Sequence, residues 1–214
     1  MLNLQALRDA PSNQEPFPHG IAPGMLSKED IAAVIRDYPD IDMGGLFLPE
    51  YASYGPAFAQ LLADLHSLEL RDIIAEKLGM DLSGRPPMVT LRCNCQGKDG
   101  RIHVDSKFKL ASVLLYLNED WSDEGGKLRL LRSGNNIDDY FAELPPEAGV
   151  AAYFRVQPNA WHGHKPFIGP RKYLMINYCA SEESRARELA RHRFSGKVKK
   201  LKRLFGIGRI SRAA

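Results

Sequence analysis

At Pro87 the hydrophobic rhythm of this 214-residue chain changes from a spacing of three and four to a spacing of two. Ahead of that point, Ser27 is placed to cap a helix whose apolar stripe is Ile31, Val34 and Ile35, with Glu29 and Asp30 at its positive end. A second helical region starts near Pro56 and runs to about Lys77, carried by Phe58, Leu61, Leu62, Leu65, Leu68, Leu70, Ile73 and Ile74. A break near Leu70 is expected, and Gly79 is the stop. Behind Pro87, stretches 89–95, 109–117, 127–131, 150–155, 160–164 and 172–179 are short, rich in β-branched or aromatic residues, and separated by Gly, Pro, Asn and Asp turns. Helices first and strands afterwards imply an α+β arrangement, or a mainly β jelly roll buttressed by N-terminal helices. From Ser181 the pattern returns to a helix with a basic end.

The charge is unevenly divided. The net charge is +3, yet residues 1–184 carry 18 Lys or Arg against 25 Asp or Glu, and residues 185–214 carry eleven against one, Glu188. An acidic body with a basic tail suggests that the tail has a partner of its own or lies back on the body. Residues 1–24, rich in Pro, Asn and Gln, read as a flexible arm, with His19 a solvated loop histidine. Residues 25–180 read as one domain with a chemical core over about 87–180, and 181–214 as a basic helical tail. No stretch of 18 apolar residues and no basic-then-apolar leader is present, and Cys93, Cys95 and Cys179 form no disulfide or zinc spacing. A reducing, cytoplasmic setting is the expectation. Cys93 and Cys95 read as small thiols on one strand face.

Within the strand region lies His103-Val104-Asp105. On a strand, residues i and i+2 leave the same face, so one imidazole and one carboxylate can grip the same ion. A third ligand from Trp161-His162-Gly163-His164 completes a 2-His-1-carboxylate triad, whose open positions suit non-haem Fe(II). Taken alone, H-x-D is more often an ordinary polar strand end than a metal site. Trp161 faces away from His162 and reads as core, as does His66 on its helix or its surface.

The stretch from Val89 to Cys179 resembles the iron(II)- and 2-oxoglutarate-dependent oxygenases, in particular their prolyl-hydroxylase-like branch. The match is ordered: His103-Val104-Asp105; then Tyr116-Leu117-Asn118, Asp120-Trp121 and Gly125-Gly126-Lys127-Leu128-Arg129; then His162, with Pro166 four residues on and Arg171 nine residues on. These features cover about 90 of the 214 residues. The resemblance implies a double-stranded β-helix, a distorted jelly roll that holds a metal between its sheets. It implies His103, Asp105 and His162 as ligands to Fe(II), and Arg171 with Tyr116 as the anchor of the far carboxylate of 2-oxoglutarate. His164 and Lys172 are the competing choices for His162 and Arg171; the proline and arginine offsets favour His162. Arg92, Asn94 and Asn177 are weaker candidates for the pocket wall.

The reaction the resemblance implies is hydroxylation of an unactivated C–H bond with O₂, releasing succinate and CO₂, with ascorbate among the candidate reductants. Peptidyl, amino-acid, glycan and small-molecule substrates stay open, because loops 40–55, 95–101 and 132–148 match no readable pattern. Two other classes stand beside it: a cupin-like metalloprotein that does not use 2-oxoglutarate, and a non-catalytic binding module that acts through its basic tail. In that tail, Val198, Leu201, Leu204 and Phe205 alternate with lysines, a pattern suited to an acidic protein surface or an anionic membrane. Nucleic acid is the weaker partner, since only Phe194 and Phe205 are available for stacking there.

Overall fold

The structure, a computed structural model, describes residues 1–192. In chain order the elements are α1 (Leu4–Asp9), β1 (Ser12–Asn13), β2 (His19–Ala22), α2 (Lys28–Asp37), a 3₁₀ turn (Pro49–Tyr51), α3 (Pro56–Asp64), α4 (Leu68–Lys77), β3 (Pro87–Cys95), β4 (Lys109–Tyr116), β5 (Leu128–Leu131), β6 (Tyr140–Leu144), β7 (Ala151–Arg155), β8 (His162–Gly163) and β9 (Gly169–Cys179). Residues 182–192 are helical. A six-stranded sheet in the order β1-β2-β7-β4-β9-β3 faces a three-stranded sheet in the order β6-β5-β8. Every named strand pair is antiparallel. Of the two arrangements that the change of rhythm at Pro87 leaves open, the result is the helix-buttressed jelly roll, the one the resemblance implies.

Period-two alternation gives the large sheet two different faces. Val113 and Leu115 on β4, and Leu174, Ile176 and Tyr178 on β9, join the helices in one core cluster. Leu114 and Tyr116, with Tyr173 and Met175, turn the other way and join Leu128 and Leu130 of the small sheet in a second cluster. The helices therefore back one face of the large sheet and leave the other to line the space between sheets. α2 starts where its cap requires, with the Ser27 side chain accepting from the Asp30 N–H at 3.1 Å.

Several expectations are corrected. Residues 1–24 do not form a loose arm: Leu7 is fully buried, Phe17 is buried, and β2 pairs with β7 from His19↔Phe154 to Ala22↔Ala151. His19 is accordingly buried, with Nδ1 2.8 Å from the Phe17 carbonyl oxygen and its ring against Phe141. The long second helix breaks over residues 65–67 instead of near Leu70, because Ser67 caps a fresh helix by accepting from the Leu70 N–H. Part of the 132–148 loop is a strand, β6, zipped to β5.

Cys93 and Cys95 do not share a face either. The β3–β9 register slips between Arg92 and Asn94, so that Arg171 and Lys172 stand opposite the single residue Cys93. Cys93 Sγ lies at the Pro39 carbonyl beneath the helices, whereas Cys95 Sγ lies 3.7 Å from His164 Nε2. The lysine-rich stretch 193–214 lies outside the described residues, and so do the expectations for its partners. Among the described residues, no helix is long and apolar enough to cross a membrane.

Candidate active site

Three stretches of chain converge between the sheets. His103 is not on a strand but makes one isolated bridge to His162, each N–H donating to the other's carbonyl at 3.0 and 2.9 Å. That reciprocal pair sets the two imidazoles side by side, with ring centroids 4.2 Å apart. Past Val104 the chain turns, so Asp105 is not held by strand alternation. Lys109 Nζ instead donates to Oδ1 at 2.8 Å and Ser112 Oγ to Oδ2 at 2.5 Å. Asn177, fully buried, donates in turn to Ser112 Oγ at 2.8 Å. Ser112 and Lys109 escaped the sequence reading. Alternation on β4 places Ser112 on the inward face with Leu114 and Tyr116, which is the signal that was there to be used.

One potential ligand atom from each of His103, Asp105 and His162 lies within 4.8 Å of the others. The protonation states suit a cation. His103 Nδ1 sits 2.9 Å from the Arg101 carbonyl oxygen and His162 Nδ1 3.0 Å from that of Ala160. A carbonyl only accepts, so each Nδ1 carries a proton and Nε2 is the nitrogen left to meet a metal, the usual outer-shell arrangement. Burial first, and then the neighbouring His103, hold His162 down to about 4, so it is neutral at physiological pH. Burial alone would raise Asp105, but the Lys109 ammonium and the hydrogen bonds from Lys109 and Ser112 outweigh it and bring it down to about 2, so it is ionised. The donor set, two imidazoles and a carboxylate, fits Fe(II).

His164 is turned elsewhere. Its Nδ1 lies 2.8 Å from the Lys165 carbonyl oxygen and its Nε2 faces the Cys95 thiol, so it lines the cavity without joining the cluster. Gly100 closes over its ring; at φ +80° and with a Cβ position 2.3 Å from the imidazole, only glycine fits there. Burial, followed by the charge of Arg171, holds His164 down to about 4 as well.

These two imidazoles have a consequence for stability. Between pH 6.5 and 4 the unfolded chain binds protons that His162 and His164 refuse in the fold, so stability falls on acidification, by at most about 3 kcal/mol per imidazole. The urea midpoint of the metal-free chain is expected to drop between pH 7 and pH 4.5, and H164Q is expected to flatten the drop. A midpoint that does not move between these pH values would contradict the burial of both rings as neutral species.

Opposite the triad, Arg171 is 2% exposed. Its Nε donates to the Gly126 carbonyl at 2.8 Å and its Nη2 to the Tyr116 hydroxyl at 3.3 Å. Burial pushes the Tyr116 phenol up to about 12 despite the neighbouring guanidinium, so the hydroxyl keeps its own hydrogen to donate. Arg171, Tyr173 and Met175 share one face of β9, and all three line a cavity of about 210 Å³ with His103, Asp105 and His162. Lys172 points to the other face, its ammonium 5.6 Å from the Tyr38 ring centroid. Of the other candidates, Arg92 is in the cavity wall, bonded to Tyr173 and Asp99. Asn94 is not: it donates to the Ile41 carbonyl. Trp161, expected in the core, is half-exposed. Loops 40–55 and 95–101 contribute Leu46 and Gly100 to the cavity wall, and 132–148 contributes nothing.

Residues 90–179 match the model of the 2OG-Fe(II) oxygenase superfamily. The span from β3 to β9 is therefore a domain of that superfamily's kind, and it carries the His103, Asp105 and His162 cluster. The matched span begins on β3 and ends with β9, so it encloses every residue of the triad, Tyr116 and Arg171. The oxygenase fold is similar to that of a Pseudomonas putida prolyl-4-hydroxylase, with TM-score 0.54 and 23% identity over 75% of this chain and 91% of that one. It is also similar to a Trichoplax adhaerens prolyl hydroxylase solved with a hypoxia inducible factor oxygen degradation domain peptide fragment, with TM-score 0.55 and 20% identity over 78% and 86% of the two chains. At such identities the likeness is one of fold. No curated protein matches the oxygenase.

Proposed function

We propose that this oxygenase hydroxylates an unactivated C–H bond of a primary substrate while converting 2-oxoglutarate and O₂ to succinate and CO₂. The observation that carries the reading is the sharing of one cavity by the triad and the buried Arg171–Tyr116 pair. Bound Fe(II) would supply the activation of O₂, which is the oxidant. His103, Asp105 and His162 would hold the ion, with Lys109 and Ser112 keeping the Asp105 carboxylate oriented. Arg171 would pair with the far carboxylate of 2-oxoglutarate, and Tyr116 would donate its hydroxyl hydrogen to it. Leu114, Leu128, Phe154 and Met175 exclude water from the space between these two ends.

A guanidinium buried to 2% and aimed into the cavity favours this reading over a metal centre without an acidic co-substrate. It also favours an enzyme over a binding module, because a buried cation beside metal ligands has no purpose in a surface interaction. The test is anaerobic loading followed by exposure to O₂: the full chain with Fe(II) and 2-oxoglutarate is expected to form succinate, and omission of either is expected to stop it. Stoichiometric Fe(II) binding with no displacement or consumption of 2-oxoglutarate would leave the cupin-like alternative standing.

A further inference from the structure

We infer that Lys109, with the exposed cations of the neighbouring segment 98–107, forms a subsite for an oxyanion, a carboxylate or a phosphate, carried by the primary substrate. The inference rests on the oxygenase reading and names a substrate class for that site.

Lys109 lines the cavity beside His103, Asp105 and His162, and its side chain is only 10% exposed. Asp105, 2.8 Å away, is the anion that makes this burial tolerable. The carboxylate cannot serve two cations in full. With Fe(II) in place, the ion, Asp105, Arg171 and the two carboxylates of 2-oxoglutarate together neutralise one another, and the Lys109 ammonium remains as one uncompensated positive charge on the wall. The other cation of the wall, Arg92, does not share this position, because it is paired with Asp99 at 2.5 Å. A desolvated cation without a counter-charge is costly, so the group that completes the site is an anion.

The surroundings point the same way. Lys98, Arg101 and Lys107 are exposed, lie within four positions in sequence of the cavity residues Gly100 and His103, and take part in none of the ion pairs among the described residues. Both acids of this segment are already engaged, Asp99 with Arg92 and Asp105 with Lys109. Exposed cations on the segment that supplies two residues of the cavity wall, in a body that is otherwise net acidic, favour the approach of anions to it. A purely structural role for Lys109, as a clamp on Asp105, accounts for the ion pair but not for the charge left over once a metal takes the carboxylate.

The experiment uses the full chain loaded with Zn(II), which stands in for Fe(II) without turnover, and with 2-oxoglutarate. Acetate, inorganic phosphate and the neutral isostere acetamide are titrated and followed by ligand-observed proton and phosphorus NMR. The wild-type chain is expected to bind one of the two anions at least about ten-fold more tightly than acetamide, and K109M to lose that preference. K109R is expected to retain it. Acetate preferred over phosphate identifies a carboxylate substrate, and the reverse a phosphorylated one. The basic tail is common to all variants, so anion binding there cancels in the comparison.

Equal binding of anion and acetamide by the wild type, or an anion affinity in K109M equal to that of the wild type, overturns the subsite. Should K109M fail to take up metal, the comparison passes to K98Q/R101Q/K107Q. Its anion affinity is expected to fall several-fold and its salt dependence to flatten, and an unchanged salt dependence overturns the proposal. A wild-type chain that takes up neither Zn(II) nor 2-oxoglutarate overturns the oxygenase reading instead, which keeps the two failures apart.

Discussion

His162→Ala is expected to abolish stoichiometric Fe(II) uptake and iron-dependent succinate formation together, with His103→Ala and Asp105→Ala giving the same result, while His164→Ala keeps a measurable fraction of both. The contrast follows from where each Nε2 points. His162 Nε2 is free to meet the ligand atoms of His103 and Asp105, because its Nδ1 proton is committed to the Ala160 carbonyl. His164 Nε2 is committed to the Cys95 thiol. Losing an outer-shell partner typically costs roughly 10–100-fold in metal affinity, and losing a direct ligand costs more. His164→Ala is expected to stay within the first range, since the cavity it leaves lies beside the triad and not in it. Metal content per chain after gel filtration decides the matter. Stoichiometric iron in His162→Ala and none in His164→Ala would move the ligand set by two residues.

Arg171→Ala is expected to raise the apparent KM for 2-oxoglutarate by roughly 30-fold to several thousand-fold, the equivalent of about 2–5 kcal/mol for leaving a desolvated carboxylate without its charged partner. Arg171→Lys is expected to recover part of the loss, since it restores the charge but not the two-pronged hydrogen bonding or the link to Tyr116. Lys172→Ala is expected to change KM little. Its ammonium lies over Tyr38 on the far side of β9, and the Lys172 N–H that binds Asn118 Oδ1 belongs to the backbone and survives the substitution. Titration of 2-oxoglutarate against succinate production reads both variants. Equal losses from the two substitutions would show that neither cation alone anchors the acid.

Much of the site was legible because it is written in short-range rules. The H-x-D, the distal His162 and the offset of Arg171 stand at fixed spacings along the chain. Period-two alternation then states which residues of a strand share a face, and on β4 and β9 it correctly separates Tyr116, Tyr173 and Met175 from Leu115, Leu174 and Ile176. It also states that Arg171 and Lys172 oppose each other, without stating which one is inside. Only the docking of the helices against Leu174 and Ile176 decides that, because it makes the opposite face the cavity wall.

Alternation failed where the chain departs from regular strand. His103 and Asp105 converge through one bridge and a turn, and the register slip at Cys93 sends Cys93 and Cys95 to different environments. Docking of the first 24 residues through Leu7, Phe17 and β2 was missed for another reason: their polar composition resembles that of a loop, and pairing of β2 with β7 depends on strands more than 100 residues apart. What the sequence determined by itself was the set of chemical groups and the two rhythms that sort them onto helices and strand faces. The tertiary structure alone decided how they are partnered: Ser112 and Lys109 on Asp105, Arg171 on Tyr116 across 55 positions, His103 on His162. The physical reason is that propensity and periodicity act over a few residues, whereas a hydrogen bond between distant strands forms only after the whole sheet has fixed their register.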